Sequence, residues 1–313
     1  MTVMISGSNG FIGSHLMQVG FSGLVRSPKG RHGEIFGDIT QEKTLRGKLD
    51  GIETLIHCAG IAENSKNVPE ELMWLTNYQG TKHLILEAAR AGVKHFIFMS
   101  SIKAMITSEL QNEDGENEKS PNTAYGNAKL AAEKIVLEIG LSAGMHVVVL
   151  RPAMVYGSGS RGNLEKLIRW IHSGWFPILP NVENRRSALY IDDLICAVWL
   201  AVNSSKANGK TYLLAHPQTF STYELCQVIR ENTKRPLISW SLSSQMCKYF
   251  GAIGDGLESL TKVKLPINSE VFAKLLGTEW CSPEQIHEEL GWTAKIDLNE
   301  GMKKYMSDLG LLN

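Results

Sequence analysis

The run Val3-Met-Ile-Ser6-Gly7-Ser-Asn-Gly10-Phe-Ile-Gly13-Ser-His-Leu-Met17 decides the fold. Val3 to Ser6 is a short apolar strand that enters a turn with evenly spaced glycines, and a helix follows. Glycines at a tight strand-to-helix turn let a backbone approach a pyrophosphate, and the helix start offers free N–H groups and a favourable dipole. The spacing is G-x-x-G-x-x-G, where the common dinucleotide fingerprint is G-x-G-x-x-G. A simple packing turn also uses glycine, so the weight lies in the position of the triplet between a predicted strand and helix. Gly7, Asn9, Gly10, Phe11, Ile12 and Gly13 are the candidate cradle.

Outward from that turn, short apolar strands alternate with helical segments. Gly23-Leu-Val-Arg26-Ser27 is the next strand. It ends about twenty residues after the first glycines, where a dinucleotide with a free ribose hydroxyl usually meets Asp or Glu. This strand offers Arg26 instead. A guanidinium suits a 2′-phosphate, so the pattern favours NADP(H) over NAD(H), the alternative being an arginine that merely lies on the surface. Asp38 and Ile39, in Phe36-Gly-Asp-Ile-Thr40 after a third strand-like run, are placed to touch the adenine. A helical segment over 41–49 leads to Thr54-Leu-Ile-His-Cys-Ala-Gly60, a buried strand ending in small residues. Ala59 and Gly60 there leave room for a dinucleotide across the carboxyl edge of a sheet. His57, alone in this apolar strand, reads as packing with no partner. A helix over 72–91 carries Asn77, and a strand over 94–99 follows. Strands alternating with helices of this length imply a parallel sheet, hence an α/β, Rossmann-like, doubly wound fold.

The stretch from Ser100 to Lys129 carries the chemistry. Tyr125 and Lys129 stand four residues apart in a run rich in alanine and lysine, so both project from one helix face. An ammonium beside a phenol favours the phenolate and lowers it from its usual value near ~10. Ser100 or Ser101, at the end of the strand His95-Phe-Ile-Phe-Met99, could hydrogen-bond the same reacting oxygen. Alone, a Tyr-x-x-x-Lys spacing occurs on many solvated helices by chance. A glycine turn, a strand-end serine and then the pair, in that order, make a catalytic constellation. The polar, acidic segment 105–123 between them is either a cover for the site or a plain surface loop. Strand His146 to Leu150 ends in Arg151-Pro152, and Pro152 cannot donate to a ladder, which suits a strand end beside a nicotinamide.

The pattern changes after Val155-Tyr-Gly-Ser-Gly159. Arg161-Gly-Asn163 opens a helix, Gly174 to Pro180 is a loop, and Asn184-Arg185-Arg186-Ser187 precedes a short strand and a helix over 192–202. Asparagine and arginine near a helix start and a strand start are what a diphosphate needs, although surface charge would look the same. A strand over 210–215, a capped helix over 221–231 and a helix over 282–291 follow. The segment 239–262 is helical with no role that its residues declare. Residues 1–157, rejoined by about 187–215, read as the dinucleotide-binding domain; 158–186 and 216–313 read as a smaller substrate-binding lobe.

The 313 residues are 43% hydrophobic and 20% charged, with 32 basic and 32 acidic side chains. This is ordinary for a soluble globular chain and offers no basic surface for nucleic acid. Five cysteines, an odd number with no C-x-x-C spacing, read as thiols in a reducing compartment. The N-terminus has no signal-peptide pattern and no apolar run approaches the roughly 20 residues of a membrane span, so a cytoplasmic protein is expected. No cluster of His, Cys and carboxylate has metal-ligand spacing, and none is expected.

Together these residues resemble the extended short-chain dehydrogenase/reductases of the NAD-dependent epimerase/dehydratase family, over essentially the whole length. The resemblance implies that the glycine turn binds the dinucleotide, that Ser101, Tyr125 and Lys129 do the chemistry, and that Ser101 is favoured over Ser100 by its distance from the tyrosine. It implies cofactor contacts from Tyr125, Lys129 and Pro152 as well. Ser100-Ser-Ile-Lys-Ala104, Arg151-Pro-Ala-Met-Val-Tyr-Gly-Ser-Gly159 with Gly162-Asn163-Leu164, and Asn184-Arg-Arg-Ser187 resemble bacterial nucleotide-sugar 4-ketoreductases of the UDP-N-acetyl-D-quinovosamine dehydrogenase type. These act in surface-polysaccharide (O-antigen or capsule) biosynthesis. In such enzymes Asn163 and Arg186 would hold the nucleotide diphosphate and Ser101 the sugar, and homodimers are common. Two departures stand out: Ala128 where serine is common, and Met105-Ile106 where a glycine-containing turn is frequent. Rival readings are a 4-epimerase of a UDP-sugar or lipid-linked sugar with retained NAD, and a non-catalytic dinucleotide sensor.

Overall fold

The computed structural model describes residues 1–63, 65, 68–105, 121, 123–160, 162–233, 240–261 and 268–312. The chain divides into two compact units: Met1–Val155, Ile191–Ala215 and Cys281–Ala294 form the first, and Tyr156–Tyr190, His216–Trp280 and Lys295–Asn313 the second.

The first unit is built on a seven-stranded sheet. Its strands are β1 (Val3–Ser6), β2 (Ser22–Val25), β3 (Glu34–Phe36), β4 (Thr54–His57), β5 (His95–Met99), β6 (His146–Pro152) and β7 (Lys210–Leu214). They lie in the order β3-β2-β1-β4-β5-β6-β7, and every pairing is parallel. The central strands are continuous apolar runs because helices cover both faces. On one face, Leu84, Ile85 and Ala88 of helix Gly80–Ala91 and Ala132 and Val136 of helix Ala124–Ser142 join Met4, Leu55, Phe96, Phe98, Val147 and Val149 in a single buried cluster. Against the other face, helix Ile191–Asn203 buries Leu194, Ala197, Val198 and Ala201. Each fully buried Leu, Ile or Phe contributes about 1.5–3 kcal/mol. The strand order reverses between β1 and β4, which opens the crevice where such sheets take their ligands.

Three local predictions are corrected. The segment 41–49 is a single 3₁₀ turn, Glu42–Thr44, followed by turns, because Gly47 takes φ +72° and its N–H donates to Glu87 Oε1 at 2.7 Å. The helix over 72–91 is an α-helix (Glu70–Trp74), a π-turn (Leu75–Gln79) and a second α-helix (Gly80–Ala91). Helix Glu284–Leu290 groups with the first unit, because Tyr212 Oη and Lys210 Nζ of β7 meet Glu289 at 2.7 and 3.3 Å. The expectation about 105–123 falls on residues 106–120 and 122, outside the described residues.

In the second unit, helix Thr222–Glu231 starts on a capping box between Ser221 and Glu224, and Asp297 caps Leu298–Asp308. Helix Ser244–Thr261 turns Met246, Tyr249, Phe250, Ile253 and Leu257 outward. Beside it lies a cavity of about 440 Å³ whose walls include Trp170, Trp175, Trp240 and Phe272. Among the described residues no helix is long and apolar enough to cross a membrane. All five cysteines are free thiols.

Candidate active site

At the carboxyl end of β1, Gly7 takes φ +72°, and a Cβ there would sit 2.7 Å from the Ala59 backbone. A Cβ on Gly13 would lie 2.3 Å from the Gly7 carbonyl oxygen. Both positions therefore demand glycine, and the turn seats its backbone directly on the chain beyond β4. The following helix starts at Phe11 with Gly10 as its N-cap and no side chain closing it. Asn9, Gly10, Phe11 and Ile12 are partly or fully exposed at that opening.

Arg26 is exposed just beyond β2. A second guanidinium, Arg31, donates to Asn9 Oδ1 at 3.2 Å and so ties its loop to the glycine turn. Its signal in the sequence is the basic run Arg26-Ser-Pro-Lys29-Gly-Arg31-His32. Asp38 is buried, and its Oδ1 accepts hydrogen bonds from the Thr40 N–H and hydroxyl at 2.9 and 2.7 Å. Ile39 turns its side chain into the core against Gly80.

Asn77 sits in the π-turn, fully buried, and brackets the Ile61 backbone, accepting from its N–H at 2.8 Å and donating to its carbonyl at 2.9 Å. A Cβ on Gly60 would meet Asn77 Oδ1 at 2.8 Å and Lys129 Nζ at 3.6 Å, so this strand end too is cleared by glycine. His57 does have partners, contrary to the reading of it as packing alone. Its Nδ1 pairs with Ser6 Oγ at 2.6 Å and its Nε2 with Thr81 Oγ1 at 2.9 Å, so the ring clamps β1 to the helix behind β4. Burial holds it neutral, at about 3.

The residues of the catalytic constellation come together. Thr123 caps helix Ala124–Ser142, accepting from the Gly126 N–H at 3.0 Å. A Cβ on Gly126 would stand 2.2 Å from the Lys103 carbonyl oxygen, so the helix start presses on the 3₁₀ turn Ile102–Ala104 that follows Ser101. This contact sets Tyr125 beside Ser101, whose side chain acts on the phenol. Gly126 was not among the predicted site residues. A glycine inside a helix costs about 1 kcal/mol relative to alanine, and that unexplained cost was its signal.

The electrostatics differ from the expectation. Burial pushes the Tyr125 phenol up to about 12; the Ser101 hydrogen bond works against this and the Glu63 carboxylate reinforces it. Lys129 does not lower the phenol. Its ammonium donates to the Met99 carbonyl at 2.8 Å and lies 4.8 Å from the centre of the Phe98 ring. Burial lowers Lys129 itself to about 8, opposed by Cys58 and Glu133. Ser100 faces away from this pair and donates to Glu133.

Asn163 and Arg186 belong to the second unit. Asn163 is the exposed first residue of helix Asn163–His172, with Oδ1 3.4 Å from Lys166 Nζ. Arg186 donates to the Lys274 and Gly277 carbonyls at 2.7 and 3.4 Å and reaches Glu279 at 3.9 Å. Arg185 stacks on Trp280 at 4.0 Å, and Asn184 is buried in hydrogen bonds to Thr222.

The family model described as "NAD dependent epimerase/dehydratase family" matches residues 3–215. The chain belongs to that family. Across its whole length it is similar to a UDP-glucose 4-epimerase of Vibrio cholerae, 27% identical over 97% of this chain and 94% of the relative. It is also similar to the N-acetyl-alpha-D-glucosaminyl-diphospho-ditrans,octacis-undecaprenol 4-epimerase of Escherichia coli O157:H7, 24% identical over 96% and 93%. Its fold matches the crystal structure of UDP-N-acetylglucosamine 4-epimerase from Bacillus cereus with a TM-score of 0.76, 17% identity and coverage of 100% and 98%. For an epimerase/dehydratase family member, the residues fit a dinucleotide. An uncapped helix start stands behind glycines that no side chain could replace, and the neighbouring strand end is cleared by Ala59 and Gly60.

Proposed function

We propose that this chain is an NADP(H)-dependent reductase of the 4-keto group of a UDP-linked (6-deoxy) N-acetylhexosamine in bacterial surface-polysaccharide biosynthesis. The observation that carries this reading is the placement of Ser101 beside Tyr125, one helical turn from buried Lys129, on the sheet edge that bears the glycine turn. When bound, the dinucleotide supplies hydride to the sugar carbon. The residues handle the proton. A phenol raised to about 12 starts protonated at neutral pH, the state a reduction needs, and Tyr125 gives that proton to the carbonyl oxygen as it gains negative charge. Ser101 hydrogen-bonds the same oxygen. Lys129, its ammonium anchored on the Met99 carbonyl, would hold the nicotinamide ribose. Gly7 to Gly13, Asp38, Ala59, Gly60 and Asn77 would line the cofactor, with Pro152 at the end of β6.

Arg26, with Arg31 on the glycine turn, supports a phosphorylated ribose. Asn163 and Arg186 would take the diphosphate. The two sequence relatives are named for 4-epimerisation of a UDP-sugar and of a diphospho-undecaprenol-linked sugar, which supports a sugar diphosphate as substrate and favours a second reading, a 4-epimerase. That enzyme would use the same three residues and keep its NAD. Incubation with UDP-4-keto sugars, following NADPH and then NADH absorbance, decides between them. Stoichiometric oxidation of NADPH is expected of the reductase. Tightly bound NAD in the purified protein, with interconversion of UDP-sugars and no net oxidation, would replace it by the epimerase. Dinucleotide binding without turnover of any sugar would leave a sensor.

A further inference from the structure

Behind the proton-handling residues lies a charged group that the proposed reaction does not touch. Helix Ala124–Ser142 places Glu133 one turn beyond Lys129 on its buried face, only 3% exposed. Both carboxylate oxygens are occupied. Arg151 Nε donates to Oε1 at 2.9 Å and its Nη2 to Oε2 at 2.7 Å, while the Ser100 hydroxyl also donates to Oε1. Arg151 and Ser100 are 6% and 4% exposed. The Ser100 N–H is itself tied to the Leu150 carbonyl at 2.7 Å.

The trio thus joins three chain segments: the end of β5, which continues into Ser101; the end of β6, which continues into Pro152; and the helix of Tyr125 and Lys129. A buried ion pair seldom stabilises a fold more than apolar side chains of the same volume would, because desolvation offsets the attraction. The pair therefore calls for an explanation other than stability.

We infer that Glu133, fixed by Arg151 and Ser100, is a positioning residue for the reaction: it holds the strand ends against the helix and supplies the carboxylate that keeps Lys129 an ammonium. This rests on the reading of Lys129 given above. The other titratable groups around Lys129 support the assignment. His57 and Cys58, at the end of β4, are held at about 3 and about 12, and Tyr125 on the same helix at about 12, so all three are neutral near pH 7. Arg151, from β6, is engaged by Glu133. Cys58 and Glu133 are the described groups that raise Lys129, and of the two Glu133 is the carboxylate.

The test is the titration of Lys129 in the full-length protein, followed by the ¹³Cε resonance of labelled lysine and assigned by its loss in Lys129→Arg. In Glu133→Gln the midpoint should fall by roughly one pH unit, the effect of removing an opposite charge at short range. Glu133→Asp, which keeps the charge, should recover most of it. The alkaline limb of kcat should move in the same direction, with KM for the sugar little changed. If Glu133→Gln does not fold, Glu133→Gln/Arg151→Gln is compared with Arg151→Gln, and its midpoint should be the lower of the two, since only the carboxylate's charge then differs. A midpoint unmoved by loss of the carboxylate, in whichever comparison folds, overturns the inference. A wild type that binds no dinucleotide, yet shows the shift, would overturn the functional reading alone.

Discussion

Lys129 and Arg186 are the two cations on which the proposed chemistry leans, and they are held in opposite ways. Lys129 is buried, donates to one carbonyl and faces one carboxylate, so its charge depends on its surroundings. Arg186 is half-buried, spreads its guanidinium over two carbonyls and reaches a third group, Glu279. An arginine stays charged whatever surrounds it, whereas a lysine's charge can be tuned. In this protein the first unit adjusts proton affinities and the second presents a permanent charge.

The sharpest way to break the comparison is Tyr125→Phe. If the first unit does the chemistry, turnover in the NADPH assay falls by about 10²–10⁴-fold, while dinucleotide affinity measured by calorimetry stays put. Undiminished turnover would move the chemistry elsewhere. Gly126→Ala comes next. Alanine normally improves a helix, but here its methyl would meet the Lys103 carbonyl at 2.2 Å, so a loss of about 1–3 kcal/mol is expected in urea unfolding, with a fall in kcat as Tyr125 leaves Ser101. A gain in stability would show that this contact is slack.

Arg186→Ala sharpens the other side. It should raise KM for the sugar nucleotide by about tenfold with kcat nearly unchanged, the mark of a group that binds substrate and transition state alike. A fall in kcat with unchanged KM would place Arg186 in the chemistry. The smallest effect is a pH signature of Lys129→Met. At pH 7 Lys129 is protonated in both folded and unfolded chains, so the native state bears the whole cost of its buried charge and the methionine variant should be more stable. Between about 8 and its ordinary 10.5 the folded lysine releases a proton that the unfolded chain keeps, wild-type stability rises, and the difference should shrink. A pH-independent difference would mean that Lys129 is not shifted.

Those predictions rest on residues of unequal legibility. The glycine turn, the parallel sheet and the Ser-Tyr-Lys spacing could be read because each has a local cause: a backbone angle, an apolar run, a four-residue interval. The failures share a cause of another kind. Gly126, Glu133 and Arg31 acquire meaning only from partners 23, 18 and 22 positions away, namely Lys103, Arg151 and Asn9. No periodicity encodes such pairings. The phenol was misjudged for the same reason. A spacing of four puts Lys129 on the right face of the helix, but the Met99 carbonyl decides where its ammonium points. In the second unit, Asn184 and Arg185 lie in a run read as suited to a diphosphate, and the structure ties them to Thr222 and Trp280, brought to them from far along the chain.

The aromatic cavity of the second unit bears on how unfolding can be watched. Trp175 is 80% exposed in the native protein, and Trp170 and Trp240 are close to half exposed. Emission from these three tryptophans will therefore be red-shifted before any denaturant is added and will change little when that unit opens. Dyes that brighten on apolar surface will light up in the native state as well. Far-ultraviolet circular dichroism, which reads the helices and the sheet directly, is the observable that follows the loss of this fold.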